Sequence, residues 1–138
     1  MAAKYWFFTG KCKWAKVDQP DKKYGSYQIN LYPDKASMVQ FQKTGLRLEV
    51  KKDDDGEFVR FRRDPEKLLE GMDEKPVKLI FKDGKYEPFD QNIGNGSLVE
   101  VKVQVYDSAK GKGHRLEAVA VHELVPYEGD ADQADLPF

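Results

Sequence analysis

The sequence predicts a mainly-β domain, a barrel or sandwich of about seven short strands with one or two short helices. Three observations predict it. Alternating polar and apolar runs recur roughly every 8 to 15 residues, separated by clusters of Gly, Pro, Asp and Asn. No alternation of strands with long helical patterns is visible, and no internal repeat. With 138 residues, 40% apolar and 12% aromatic, the chain has the material for one core.

Each element has its own signal. KYWFFTGKCKWAKV reads as a strand around 7–17, running into a turn at Pro20. Alternation there puts Ala15 and Val17 on one face and Cys12, Trp14 and Lys16 on the other, which turns Trp14 outward. YGSYQINLY sets Tyr27, Ile29 and Leu31 against Tyr24, Gln28, Asn30 and Tyr32. After Pro33, DKASMVQFQKTG suits a short helix, with Asp34 as N-cap and Gly45 at its end. LRLEVKK alternates Leu46, Leu48 and Val50 with Arg47, Glu49 and Lys51, and pairs with EFVRFRR as a hairpin around loop 53–56. Asp64-Pro65-Glu66 opens a brief helical or irregular connection, EKLLEGMDEK. VKLIF follows as a strand with Val77, Leu79 and Phe81 inward, then a KDGK turn and the long loop YEPFDQNIGNGS. LVEVKVQVY is the clearest period-two run, Val99, Val101, Val103 and Val105 inward. SAKGKG is a basic loop and RLEAVAVHELV the last strand. Parity assigns Phe8, Tyr27, Phe41, Phe61 and Phe81 to the core.

Several function classes fall away. No apolar run approaches the ~18 to 20 residues needed to cross a bilayer. Cys12 is the only cysteine, so no internal disulfide forms, and with His114 and His122 it makes no four-ligand zinc set. A reducing, cytosolic compartment is expected. Gly94-Asn95-Gly96 lacks the further glycines and the Lys-Ser or Lys-Thr of a phosphate loop, and the acidic turn at 53–55 lacks the alternating ligands and distal Glu of a calcium loop. No nucleophile motif supports Ser97 with His122 as a triad. Neither an enzyme nor a cofactor is expected.

Charge is the positive signal, once it is divided. The formal total is −1. Residues 1–52 hold eleven basic against four acidic side chains, +7; residues 53–127 hold twelve against sixteen, −4; residues 128–138 hold four acidic and no basic ones. The chain therefore divides into a domain at 1–127, net +3, and an acidic tail at 128–138. The tail ends apolar, Leu136-Pro137-Phe138, and an exposed terminal Phe favours a bound state.

In the domain, aromatics alternate with cations in KCKWAK, KKYGSY and FVRFRR. Aromatic faces stack bases for ~1 to 3 kcal/mol each, and Lys or Arg neutralise phosphates. Parity groups Trp14, Tyr24, Tyr32, Phe58 and Tyr106 as stacking candidates, with Lys11, Lys13, Lys16, Arg60, Arg62, Arg63 and Lys102 as phosphate contacts.

The order of these features resembles the single-stranded-DNA-binding proteins of tailed bacteriophages. The likeness spans nearly the whole chain and is sharpest in IGNGSLVEVKVQVY, RLEAVAVHELVPY and the tail EGDADQADLPF. It implies an OB-type Greek-key barrel that binds single-stranded DNA with little sequence preference in phage replication, recombination and repair, in the cytoplasm of an infected bacterium. It also implies a tail, here Asp130, Asp132, Asp135, Leu136, Pro137 and Phe138, that competes with DNA for the groove and contacts replication proteins such as a polymerase or a helicase–primase. Homo-oligomerisation is compatible with it. The competing reading is a protein-interaction or assembly module that displays the tail and binds no nucleic acid.

Overall fold

A computed structural model describes residues 4–18, 25–64, 66–69 and 72–126, and for 66–69 and 72–74 the backbone only. Among the described residues there are ten strands and one helix. Their order is β1 (Lys4–Lys16), β2 (Tyr27–Pro33), α1 (Lys35–Lys43), β3 (Lys51–Asp53), β4 (Gly56–Arg63), β5 (Glu66–Leu69), β6 (Met72–Glu74), β7 (Val77–Lys82), β8 (Lys85–Pro88), β9 (Leu98–Ser108) and β10 (Gly111–Glu123).

Eight strands form one sheet in the order β3-β4-β2-β1-β9-β10-β7-β8. Strand β1 is shared between two neighbours: Lys4–Lys11 pairs with β9 and Gly10–Lys16 with β2, all antiparallel. Gly10 sits where the two ladders overlap. A Cβ there would lie 2.0 Å from the Tyr32 carbonyl oxygen, so only glycine fits. The sheet curls until β4 meets β10. There the Arg62 N–H donates to His114 Nε2 at 3.0 Å, and Arg63 Nη1 donates to the Leu116 carbonyl at 3.3 Å. An OB-type barrel results.

The valine run of β9 lines the interior, Val99, Val101 and Val103 at 0% exposure, facing Leu116, Val119 and Val121 across the ladder. Helix α1 closes one end. Asp34 Oδ1 caps it by accepting from the Ser37 N–H at 2.7 Å, and Gly45, at φ +78°, takes the chain away after Thr44. Its Phe41 stands edge-on to both Phe8 and Phe61, which stack 5.4 Å apart. Burial of each such ring contributes about 1.5–3 kcal/mol.

Several expectations are corrected. The segment 46–50 is not a strand; Leu46 and Leu48 pack on the core from an irregular run, and only Lys51–Asp53 pairs with β4. EKLLEGMDEK is neither helical nor irregular but holds the two-stranded β5/β6 pair. Gly71 interrupts that run, leaving helical pieces too short to nucleate. In β7 the faces are reversed. Its parallel register on β10 sets Lys78 beside Val119 and Ile80 beside Val121, so Val77 is 53% exposed and Phe81 lies outside the core. Lys78 is buried instead, paired with Asp18 Oδ2 at 2.6 Å.

Candidate nucleic-acid interface

The outward faces of β1, β2 and β4 make a grid of side chains. Lys11 stands opposite Tyr32, Lys13 opposite Asn30, and Lys16 opposite Gln28. Strand β4 extends the last two rows, Arg60 beside Asn30 and Arg62 beside Gln28, and the Phe58 ring lies 5.2 Å from that of Tyr32. Cations thus flank a central polar and aromatic column. Asn30 and Gln28 are buried, and Asn30 Oδ1 accepts from Arg60 Nε at 2.9 Å, which fixes the guanidinium over the face.

A bulge places Trp14. Between Lys13 and Lys16 strand β1 spends three steps against two on β2, and the extra residue resets the alternation. Cys12 and Val17, five residues apart, are therefore both buried, at 1% and 2% exposure. Trp14 takes φ +52° and exposes 57% of its surface. A non-glycine residue in that region is strained, and the neighbouring loop holds it there. Asn95 Oδ1 accepts from the Trp14 N–H at 2.8 Å, the Gly96 N–H donates to the Cys12 carbonyl at 2.7 Å, and the Cys12 N–H donates to the Ser97 carbonyl at 3.0 Å. Ser97 Oγ in turn donates to the Gly94 carbonyl and accepts from the Val125 N–H, both at 2.8 Å. The IGNGS loop is thus the brace of the tryptophan.

The β3–β4 turn leans over one end of the grid. Asp55 pairs with Lys13, and Tyr32 Oη donates to Asp53 Oδ2 at 2.5 Å. Lys13 Nζ also lies 5.5 Å from the centre of the Tyr32 ring. Burial, with the Asp53 contact acting in the same sense, pushes Tyr32 up to about 12, so it stays a donor. The Asp55 contact raises Lys13, and the Tyr32 hydrogen bond lowers Asp53. Lys13, Tyr32 and Asp55, together with Lys11, Met38 and Asn95, line a cavity of about 730 Å³.

Of the residues expected from sequence, Lys11, Lys13, Lys16, Tyr32, Phe58, Arg60 and Arg62 stand in these paired rows, and Trp14 is exposed at the bulge between Lys13 and Lys16. Phe58 is buried at 8% exposure, tilted against the Tyr32 ring, and is no open platform. Arg63 does not join them. It follows Phe61 on the interior side and is 4% exposed, bonded to β10. Lys102 and Tyr106 lie on β9, with β1 between them and β2. Tyr24 and the tail residues 130–138 fall outside the described residues. Sequence reasoning missed Asn95, whose role depends on a loop 81 residues distant from Trp14. It also missed the carboxylates of the turn as neighbours of Lys13 and Tyr32. Among the described residues no cluster of metal-ligating side chains forms, and no helix is long and apolar enough to cross a membrane.

No family model and no curated protein matches the chain. Solved structures do. The chain is similar to gp2.5, a single-stranded DNA-binding protein encoded by bacteriophage T7, at 22% identity and a TM-score of 0.56, covering 99% of this chain and 96% of that one. It is also similar to the single-stranded DNA-binding protein of bacteriophage Enc34, at 17% identity and a TM-score of 0.56 over 95% and 88% of the two chains. A C-terminally truncated form of the Enc34 protein matches at 13% identity and a TM-score of 0.55 over 89% and 88%. At these identities the likeness establishes a shared architecture, the OB-type barrel that β1, β2, β4, β9 and β10 build here.

Proposed function

We propose that this chain is a non-enzymatic single-stranded-DNA-binding protein whose groove is the outward face of β1, β2 and β4. One observation carries it: three rows of cations flank exposed Trp14 and half-buried Tyr32 on the face that OB barrels use for oligonucleotides. Bases would stack on Trp14 and Tyr32 while Lys11, Lys13, Lys16, Arg60 and Arg62 neutralise phosphates. Backbone charge and ring faces carry no base code, so little sequence preference follows. The two proteins of these three solved structures are themselves described as phage single-stranded DNA-binding proteins, which supports the reading. Within it, the chain acts in phage DNA replication, recombination and repair, and the tail docks replication proteins through Leu136-Pro137-Phe138 while its carboxylates compete for the groove.

The test is a titration of fluorescent oligonucleotides at several salt concentrations. Poly(dT) affinity should exceed duplex affinity and fall steeply with salt. Absence of poly(dT) binding at ~50 mM salt overturns the proposal.

A further inference from the structure

The grid uses the second half of β1 and leaves the first half without a role. Tyr5 and Phe7 are 50% and 53% exposed, an unusual state for two large rings on one short stretch. They share the outward face of β1 with Lys11 and Lys13, because the register runs unbroken from Lys4 to Lys13. Across the ladder Lys102 pairs with Phe7. Its Nζ lies 4.6 Å from the centre of the Tyr5 ring and 6.0 Å from that of Phe7. The grouping repeats the one in the groove, where Lys13 stands over Tyr32. Beside it the small residues Ala118 and Ala120 leave a cavity of about 500 Å³, walled by Phe7 and Tyr86. Glu100 on the same face is engaged, accepting from Tyr86 Oη at 2.8 Å and lying 3.4 Å from His122 Nε2.

We propose that Tyr5, Phe7 and Lys102 form a second stacking subsite for single-stranded DNA, reached by a strand that leaves the groove at Lys11 and follows the outward face of β1. The subsite rests on the groove reading above. Phe7 and Lys13 are six positions apart, about 20 Å along an extended strand, a span that a few nucleotides cover. A protein partner would also cover the two rings. Nucleic acid is favoured by the continuity of the face with the groove and by the lysine over the rings, where a phosphate can meet the ammonium while bases stack.

The full chain, its Tyr5→Ser/Phe7→Ser double variant and Lys102→Ala should be titrated with oligo(dT) of about 6 and about 16 nucleotides, both within the range of OB-barrel footprints. Site size on poly(dT), self-association by sedimentation and thermal unfolding complete the set. Both variants should unfold normally and bind the short oligomer as the parent does. The double variant should lose about tenfold on the long one for each stacked base lost, and its site size should shrink. Unchanged long-oligomer affinity and site size overturn the subsite while leaving the groove intact. So does a loss of self-association with DNA binding unaltered, which identifies the patch as a protein interface. If the parent chain binds neither oligomer, the groove reading fails first and the subsite with it. Lys102→Ala removes no ring, so it keeps the test open if the double variant unfolds.

Discussion

Trp14 and Gly10 show how single residues set the face. Trp14 is exposed and held at positive φ by a loop, so its indole stands outside the core and is the ring that the proposed groove would offer to a base. Trp14→Ala should weaken poly(dT) about tenfold, with stability changed by less than about 1 kcal/mol. A drop in the urea midpoint equal to the loss of affinity would show the ring to be structural. Gly10 has the reverse profile. Its missing Cβ lets β1 pass within reach of the Tyr32 backbone, and Gly10→Ala should cost at least about 1–3 kcal/mol in urea unfolding, because backbone and not a flexible side chain is in the way. Burial pushes the Cys12 thiol up to about 12, so it stays protonated under the groove and should resist alkylation until the chain unfolds.

Elements contribute through their seams. The acidic β3–β4 turn holds Lys13 and Tyr32 through Asp55 and Asp53. In the proposed groove, bound DNA would displace these carboxylates, so Asp53→Asn/Asp55→Asn should raise poly(dT) affinity, most at low salt. Equal or weaker affinity in the double variant would mean that the turn orders the face for DNA. The β4–β10 seam should respond to pH. Burial first, and then the Arg62 charge, lowers His114 to about 4 from an ordinary 6.5, and its Nε2 accepts from the Arg62 N–H. Above pH 6.5 both folded and unfolded chains carry it neutral and the stability is whole. As pH falls from 6.5 to about 4 the unfolded chain takes up the proton first, and stability is lost across that window. His114→Gln, which keeps an acceptor, should flatten the slope of the urea midpoint over that window, and an unchanged slope would place the acid sensitivity elsewhere.

The whole molecule is a balance of opposed charge. Residues 1–127 sum to +3 and residues 128–138 hold four acidic side chains and no basic one, so the −1 total says little about what the proposed groove attracts. If Lys11, Lys13, Lys16, Arg60 and Arg62 each neutralise one phosphate, log affinity should fall with log salt at a slope of about −3.5, and each lysine replaced by alanine should flatten it by about 0.7. Deleting residues 128–138 should raise poly(dT) affinity at low salt and matter little at high salt, where the tail is screened. Affinity unchanged by the deletion would leave the tail a partner hook only. A chain that binds no oligonucleotide in either form, and loses a protein partner with its tail, would be the interaction module.

Local pattern determined much of this chain. The valines of β9, the helix bounded by Asp34 and Gly45, the hairpin at 53–56 and the core places of Phe8, Phe41 and Phe61 were legible because alternation and capping are short-range rules. So was the outward Trp14, although a bulge and not simple parity put it there. Tertiary structure alone decided the rest. The parallel register of β7 on β10 turned Phe81 out and Lys78 in, since the neighbouring strand and not the strand's own alternation selects the buried face. Barrel closure drew Arg63 inward onto β10, and the sheet order put Lys102 on the far side of β1 from the grid. Charges and rings are written in the sequence, but which of them meet on one face depends on how a sheet closes, and closure is a property of strands distant in the chain.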